Sequence, residues 1–301
     1  MKILILLSTF NGNLFLPELL DSLYCQEEIV FEILVRDDGS TDDTKNILRQ
    51  YNNRYGNITV VEGKNIGARK SFLELIQMAS KRNDFDYAAF CDQDDVWLPQ
   101  KLSAAVTLMQ QENTEFYYSP YQLVNQNLKK ISSYNQFIPI KNLATSLVYN
   151  SVTGCTIVCT KKIIEWASEA HPEHIMMHDS WIFKVALAHQ CGISIDSRGY
   201  ILYRQHGDNV IGGTETLAER FKRRWHNFIH PKCLRSMEAE ELYRYYYESM
   251  NPENQSIIKQ IHNYRQKSFI SRLSIAFNPV FRTGSITNDL IFKLAIITKR
   301  Y

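Results

Sequence analysis

The chain predicts an α/β fold with a mostly parallel sheet, and three observations carry that prediction. Short β-branched runs alternate with helical patterns through the first hundred residues. Each run ends in a polar, glycine-bearing or carboxylate-rich turn, and strand signals vanish from Thr216 onward. Strands that alternate with helices form βαβ units, whose parallel sheet is covered on both faces.

In order, Lys2 to Leu7, Phe31 to Val35, Ile58 to Val61 and Tyr87 to Cys91 read as strands. Between them, Leu14 to Tyr24 puts Leu16, Leu19, Leu20 and Leu23 on one helical face. Thr41 to Tyr51 opens with a Ser40/Thr41 cap, and Ala68 to Ala79 repeats apolar residues at three and four. Phe116 to Val124 and Thr156 to Cys159 read as strands, His178 to His189 as a helix, and Ile193 to Arg204 as one or two further strands. Amphipathic helices follow, broken near Pro231, Asn251-Pro252, Asn278-Pro279 and Gly284. The expected division is therefore a sheet-bearing module over 1–212 and a helical, basic module over 213–301.

A hydrophobic fraction of 45% with 22% charge is that of an ordinary globular protein and excludes collagen, disorder or a disulfide scaffold. The longest apolar candidates, Ile3 to Leu7 and Leu290 to Ile297 with Lys293 inside it, fall short of the ~20 residues that span a bilayer. The run after Met1-Lys2 is also too short for a secretory signal, so a cytoplasmic protein is expected. The six cysteines form no C-x-x-C pair and read as reduced, buried thiols. A net charge of +2 hides an asymmetry: residues 1–215 hold 19 Lys/Arg against 25 Asp/Glu, and 216–301 hold 15 against 7. The basic part suits an anionic membrane surface or nucleic acid, and a solvated helical face is the alternative.

In open α/β sheets ligands gather beyond the carboxyl ends of the strands. Those ends are Ser8-Thr9-Phe10-Asn11-Gly12, Arg36-Asp37-Asp38-Gly39-Ser40, Glu62-Gly63-Lys64-Asn65-Ile66-Gly67 and Asp92-Gln93-Asp94-Asp95. No G-x-G-x-x-G or G-x-x-x-x-G-K-[ST] is present, which argues against a dehydrogenase or P-loop enzyme. Asp92, Asp94 and Asp95 need a counter-charge. Mg²⁺ or Mn²⁺ supplies one while keeping positions open for substrate phosphates; the alternative is a carboxylate-rich turn capping the helix at Pro99. Asp37-Asp38-Gly39-Ser40 alone reads as a tight turn.

Taken together, Leu7 to Gly12, Leu34 to Asp42, Asn65-Ile66-Gly67-Ala68-Arg69, Phe90 to Trp97, His178-Asp179-Ser180-Trp181 and Tyr203-Arg204-Gln205-His206 resemble the family 2 inverting glycosyltransferases with the glycosyltransferase A-type fold. Within that family the likeness is to bacterial rhamnosyltransferases of cell-surface polysaccharide synthesis. The resemblance implies a nucleotide-sugar donor, with dTDP-rhamnose the best guess and a UDP-sugar the alternative, and a lipid-linked or oligosaccharide acceptor. A non-catalytic sugar-nucleotide-binding scaffold is the competing reading.

The resemblance also implies roles. Thr9, Asn11 and Asp38 would hold base and ribose; Asn65, Arg69 and Gln93 would line the nucleotide sugar. Asp92 would lie near the ribose or donor sugar. Asp94 would ligate the Mg²⁺ or Mn²⁺, with His206 a second ligand or a phosphate donor and Asp95 a further candidate ligand or a support for the others. Asp179 would be the catalytic base, at a helix start whose dipole favours its ionised form. Trp181 is the candidate acceptor contact and Trp97 reads as packing. Phe221-Lys222-Arg223-Arg224-Trp225, with later apolar residues such as Phe269, Phe277 and Leu290, suits peripheral attachment to the cytoplasmic face of the plasma membrane, a homodimer interface being equally open. Nucleic-acid binding is not expected, since no recognition module accompanies the basic residues.

Overall fold

The computed structural model describes residues 1–131, 137–205 and 234–301. Through the first part these form β1 (Lys2–Thr9), α1 (Leu16–Tyr24), β2 (Val30–Asp37), α2 (Thr44–Tyr55), β3 (Ile58–Glu62), α3 (Ala68–Ser80), β4 (Tyr87–Asp92), β5 (Val96–Trp97) and α4 (Lys101–Glu112). Then come β6 (Phe116–Tyr118), β7 (Gln122–Val124), α5 (Leu143–Val148), β8 (Val158–Thr160), α6 (Lys161–Glu169), α7 (His178–Ala188), β9 (Ile193–Ile195) and β10 (Ile201–Arg204). The last described helices are α8 (Leu234–Tyr246), α9 (Pro252–Ile261), α10 (Phe269–Phe277) and α11 (Ile286–Ile297).

The described residues divide into two compact units: 1–131, 152–169 and 192–205 in one, 137–151, 170–191 and 234–301 in the other. The expected boundary at 212–213 lies outside the described residues. Segments 137–151 and 170–191, expected in the first module, belong instead with the C-terminal helices. The physical reason is visible in α7, where every residue from His178 to Ala188 is buried. A helix buried on every face demands neighbours on every side, and other helices supply them.

The first unit holds a seven-stranded sheet of order β3-β2-β1-β4-β8-β6-β9. Pairing is parallel across β3, β2, β1 and β4; β8 runs antiparallel to both β4 and β6, and β6 is parallel to β9. β1 is the centre of the parallel half: Ile3 to Leu7 are wholly inaccessible, as a strand covered on both faces requires. A smaller sheet joins β5, β10 and β7.

The expected strand over Phe116 to Val124 is two strands in different sheets. Pro120 cannot donate a ladder hydrogen bond, and the chain turns there from the large sheet to the small one. The helix expected from Thr41 starts at Thr44, because the Ser40 hydroxyl is bound to Asp37 and unavailable as a cap; Asp42 instead accepts from the Thr44 amide at 3.1 Å. Among the described residues Cys91, Cys155, Cys159 and Cys191 are buried free thiols, whereas Cys25 is exposed. No helix among them is long and apolar enough to cross a membrane.

Candidate active site

Strand register gathers the motifs. Thr9 stands opposite Asp37 across β1 and β2, and Ser8 opposite Asp92 across β1 and β4. The carboxyl ends of β2, β1 and β4 are thus side by side. The chain passes from β3 at one edge over to β4, so the sequence order reverses beside β1, the switch point where α/β sheets bind ligands.

The first two motifs lock together. Asp37, fully buried, accepts from the Thr9 hydroxyl at 3.0 Å, the Ser40 amide at 2.8 Å and the Ser40 hydroxyl at 2.5 Å. Asn11, at a φ of 46°, donates its amide to the Ser40 hydroxyl (2.9 Å) and accepts from the Thr41 amide through its side chain (2.9 Å). Gly39, at a φ of 86°, lies so close to the next loop that an added Cβ would stand 3.2 Å from the Gly63 carbonyl. Only glycine meets both demands.

Asp38, expected at the nucleotide base, is buried and engaged internally. Its carboxylate pairs with Arg36 and accepts from the Ile66 amide at 2.9 Å and the Gly67 amide at 2.8 Å. Arg36 in turn pairs with Glu74 of α3. Asp38 therefore fastens the loop ahead of α3, where the sequence also expected Asn65 and Arg69. Asn65 is exposed; Arg69 is half-buried, with its Nε buried and unpartnered among the described residues.

Gln93 is also a fastener. Its side-chain oxygen accepts from the Phe10 amide at 2.9 Å and its nitrogen donates to the Phe10 carbonyl at 3.0 Å. This amide clamp ties the turn after β4 to the turn after β1. Gly12 makes room for it, since a Cβ there would come within 2.3 Å of the Gln93 oxygen.

The acidic motif divides by depth. Asp92 and Asp94 are half-buried, while Asp95 is buried, with Oδ1 accepting from the Arg204 amide at 3.1 Å. Its other oxygen is also buried and has no hydrogen-bond partner among the described residues. Burial, and then the charges of Asp94 and Asp92, raise the Asp95 carboxyl well above the ordinary carboxylate range. Ligand atoms of Asp92, Asp95 and Cys155 lie within 4.8 Å of one another. The two carboxylates suit a hard divalent cation, and an orphaned buried carboxylate oxygen is what such an ion would satisfy. The thiol does not fit that ion: burial keeps Cys155 protonated. Asp94, expected as the direct ligand, is not in this group, and His206 lies outside the described residues.

Two cations that the sequence left unassigned support the motif. Arg204 donates from Nε to the Asp94 carbonyl at 2.8 Å, bonds the Gln126 carbonyl, pairs with Glu18 of α1, and lies over the Phe15 ring. Lys101 is buried over the Trp97 indole with no hydrogen-bond partner for its amine among the described residues, and burial pushes its pKa down to about 7. The signal for Arg204 was a cation ending an apolar strand; for Lys101, one opening a buried helix face.

In the second unit, Asp179 stands in the first turn of α7 and its side chain accepts from the Ser180 amide. Beneath it, Lys184 donates to Glu238 of α8 at 2.8 Å and to the Ser180 hydroxyl, and Ser180 donates to Glu238 at 2.9 Å. Burial lowers the His178 pKa to about 3, so its imidazole is neutral near pH 7. Trp181, expected at the acceptor, is wholly buried with its ring 5.9 Å from that of Tyr246. An indole with no exposed face has none to offer a sugar. Trp97 packs in the core as expected.

Comparisons with known proteins agree with this architecture. Residues 4–190 match Glycosyl transferase family 2. The chain is 30% identical over 231 residues to the dTDP-rhamnosyl transferase RfbG of Shigella flexneri, covering 72% of this chain and 77% of that protein. It is 29% identical over 164 residues to the UDP-Glc:alpha-D-GlcNAc-diphosphoundecaprenol beta-1,3-glucosyltransferase WfgD of Escherichia coli, covering 53% and 60%. Among solved structures, S. aureus TarS 1-349 in complex with UDP-GlcNAc superposes with a TM-score of 0.59 at 17% identity, covering 100% of this chain and 93% of that one. With its A-type sheet, the acidic motif at the switch point and a family match over most of its length, the chain belongs to glycosyltransferase family 2 and is a glycosyltransferase.

Proposed function

We propose that this enzyme transfers rhamnose from dTDP-rhamnose to a saccharide acceptor of a bacterial cell-surface polysaccharide, with inversion at the anomeric carbon and with Mg²⁺ or Mn²⁺ bound. The observation that carries the donor is the 30% identity to a dTDP-rhamnosyl transferase across 72% of the chain. Support for the ion comes from Asp92 and Asp95, whose carboxylates converge at the switch point beside Asp94. Such an ion offsets the charge that grows on the departing diphosphate.

The chain's own groups divide the remaining work. Arg69, whose Nε has no partner among the described residues, is suited to a phosphate or base oxygen. Thr9, Asn11, Asp38 and Gln93 shape the nucleotide site by holding its turns, and Asn65 is exposed to reach a ligand. Asp179 is the base: it takes the acceptor hydroxyl's proton while that oxygen attacks C1 and the bond from C1 to the diphosphate oxygen breaks. This role rests on the His178-Asp179-Ser180-Trp181 resemblance. We place the enzyme in the cytoplasm, peripherally attached where a lipid-linked acceptor is presented.

A second reading, a UDP-glucose donor, is favoured by the 29% identity to a glucosyltransferase. The test is release of nucleoside diphosphate by the purified protein from dTDP-rhamnose, UDP-glucose, UDP-galactose, UDP-N-acetylglucosamine and GDP-mannose, with Mn²⁺, Mg²⁺ or chelator. Turnover of dTDP-rhamnose alone, lost in Asp94→Ala and with chelator, is expected. Turnover of UDP-glucose alone selects the second reading. If Asp179→Asn transferred sugar at the wild-type rate, another residue would be the base.

A further inference from the structure

The C-terminal helices α10 and α11 pack on each other within the second unit and carry an exposed apolar face. Their inner sides are well anchored: the Phe281 and Phe292 rings lie 5.2 Å apart, tilted, and Phe292 meets Tyr301 edge-on at 5.4 Å. Outside, Phe269, Ile270, Phe277, Ile286, Leu290 and Leu294 are all exposed, Ile270 to 78% and Ile286 to 87%. Of the twelve exposed large apolar side chains among the described residues, these six fall within one short segment. On α11 they recur at every fourth residue, a single stripe along the helix. Soluble proteins scatter such residues singly, and a cluster marks a contact surface.

Charge identifies the partner. Residues 265–301 hold seven Lys/Arg against one acid, Asp289. Cations accompany the apolar groups: the Lys293 ammonium lies 5.2 Å from the Phe277 ring centre, while the buried Arg272 guanidinium, 5.8 Å from that of Phe269, braces the face from within. Arg272 also donates to the Ile297 carbonyl at 3.3 Å, which fixes the two helices side by side. Lysine is depleted from the cores of protein interfaces, whereas an apolar face threaded with cations is the pattern of a helix lying at an anionic headgroup layer.

We infer that the face of α10 and α11 is the surface by which this enzyme lies on an anionic lipid bilayer. This deepens the peripheral attachment proposed above by naming its residues and its lipid class, and it does not depend on the identity of the donor sugar. The surface lies within residues 265–301, apart from the Lys222-Arg223-Arg224 cluster, which lies outside the described residues.

The test is flotation of the full chain with vesicles of phosphatidylcholine, with and without phosphatidylglycerol, at low and high salt. Binding only to the anionic vesicles, weakened by salt, is expected. Ile286→Ser/Leu290→Ser/Leu294→Ser should lower partitioning at least ~10-fold. Lys293→Gln/Lys299→Gln should lower it about 25-fold, at about fivefold per cation. Both variants should keep the wild-type thermal midpoint and nucleotide release, because these side chains are exposed or at the surface. Equal binding to neutral vesicles, or serine and glutamine variants that float like wild type, would overturn the inference. So would absence of flotation combined with a dimer, seen by sedimentation velocity, that the serine variant dissociates. Loss of nucleotide release from the wild type is read separately and counts against the proposed function alone.

Discussion

Arg204 joins the acidic motif to the rest of the first unit, so its removal should be felt both in stability and at the proposed metal site. In Arg204→Met the backbone amide still reaches Asp95, but the Asp94 and Gln126 carbonyls lose their donor and Glu18 loses its partner. Each carbonyl left unpaired costs about 1 kcal/mol, and the half-exposed Glu18 pair no more than about 1 kcal/mol, for a total of about 3 kcal/mol. Urea unfolding followed by fluorescence measures that loss. Because the Asp94 carbonyl is the lost partner, the turn that presents Asp92 and Asp95 loosens as well. A ligand deprived of its support typically loses 10–100-fold in metal affinity, so the Mn²⁺ concentration for half-maximal nucleotide release should rise by roughly that factor. Arg204→Lys keeps the charge and one donor and should fall between. A loss of about 3 kcal/mol with unchanged Mn²⁺ dependence would show that Arg204 supports the fold and not the site, and an unchanged urea midpoint would refute the energetic reasoning altogether.

Three further perturbations follow from the same contacts. His178, held neutral by burial with a pKa of about 3 against an ordinary value of 6.5, binds fewer protons folded than unfolded across that window, so stability falls as pH drops below 6.5. Between pH 7 and pH 5, His178→Gln should lose about 2 kcal/mol less than wild type in urea titrations, and equal losses would contradict the burial argument. Lys184→Met strands the buried Glu238 carboxylate and should cost about 3–5 kcal/mol, with partial recovery in Lys184→Met/Glu238→Leu; a double variant no better than the single would show that the ion pair is not the source. Gly12→Ala drives a methyl into the Gln93 side chain, which is free to swing away; donor KM should rise several-fold with little change in melting temperature, and an unaltered KM would mean the Gln93–Phe10 clamp does not shape the site.

Much of the first unit was legible because its signals are local. Strands β1 to β4 and helices α1 and α3 appear within a few residues of their expected places, since each alternates an apolar run with a single-faced helix. Less legible was what depends on distant partners. Nothing in the pattern of Leu143–Val148 or His178–Ala188 says which unit will bury it; both have apolar neighbours to find, and they find them among the C-terminal helices. The Ser40/Thr41 cap failed for a similar reason: a serine caps whichever group reaches it, and Asp37 was nearer than the helix.

The same distinction governs the candidate site. Sequence located five aspartates at strand ends, yet the letter Asp does not say whether a carboxylate points into the protein or out of it. Asp37, Asp38 and Asp95 point in and are spent on amides, hydroxyls and Arg36, while Asp92 and Asp94 keep part of their surface. That division has a physical origin. Three turns that must approach a ligand with their backbones carry more amides than the strands can satisfy, and a buried carboxylate is the acceptor that holds several of them at once. Asp37 and Asp38 thus fix the turns, Asp95 spends one oxygen on the Arg204 amide, and its other oxygen, with Asp92 and Asp94, leaves acceptors where a cation can reach them. A motif read only as a set of ligands assigns every acid to the substrate; one read as a loop that must also be built assigns them to two tasks, and the reach of each carboxylate decides between them.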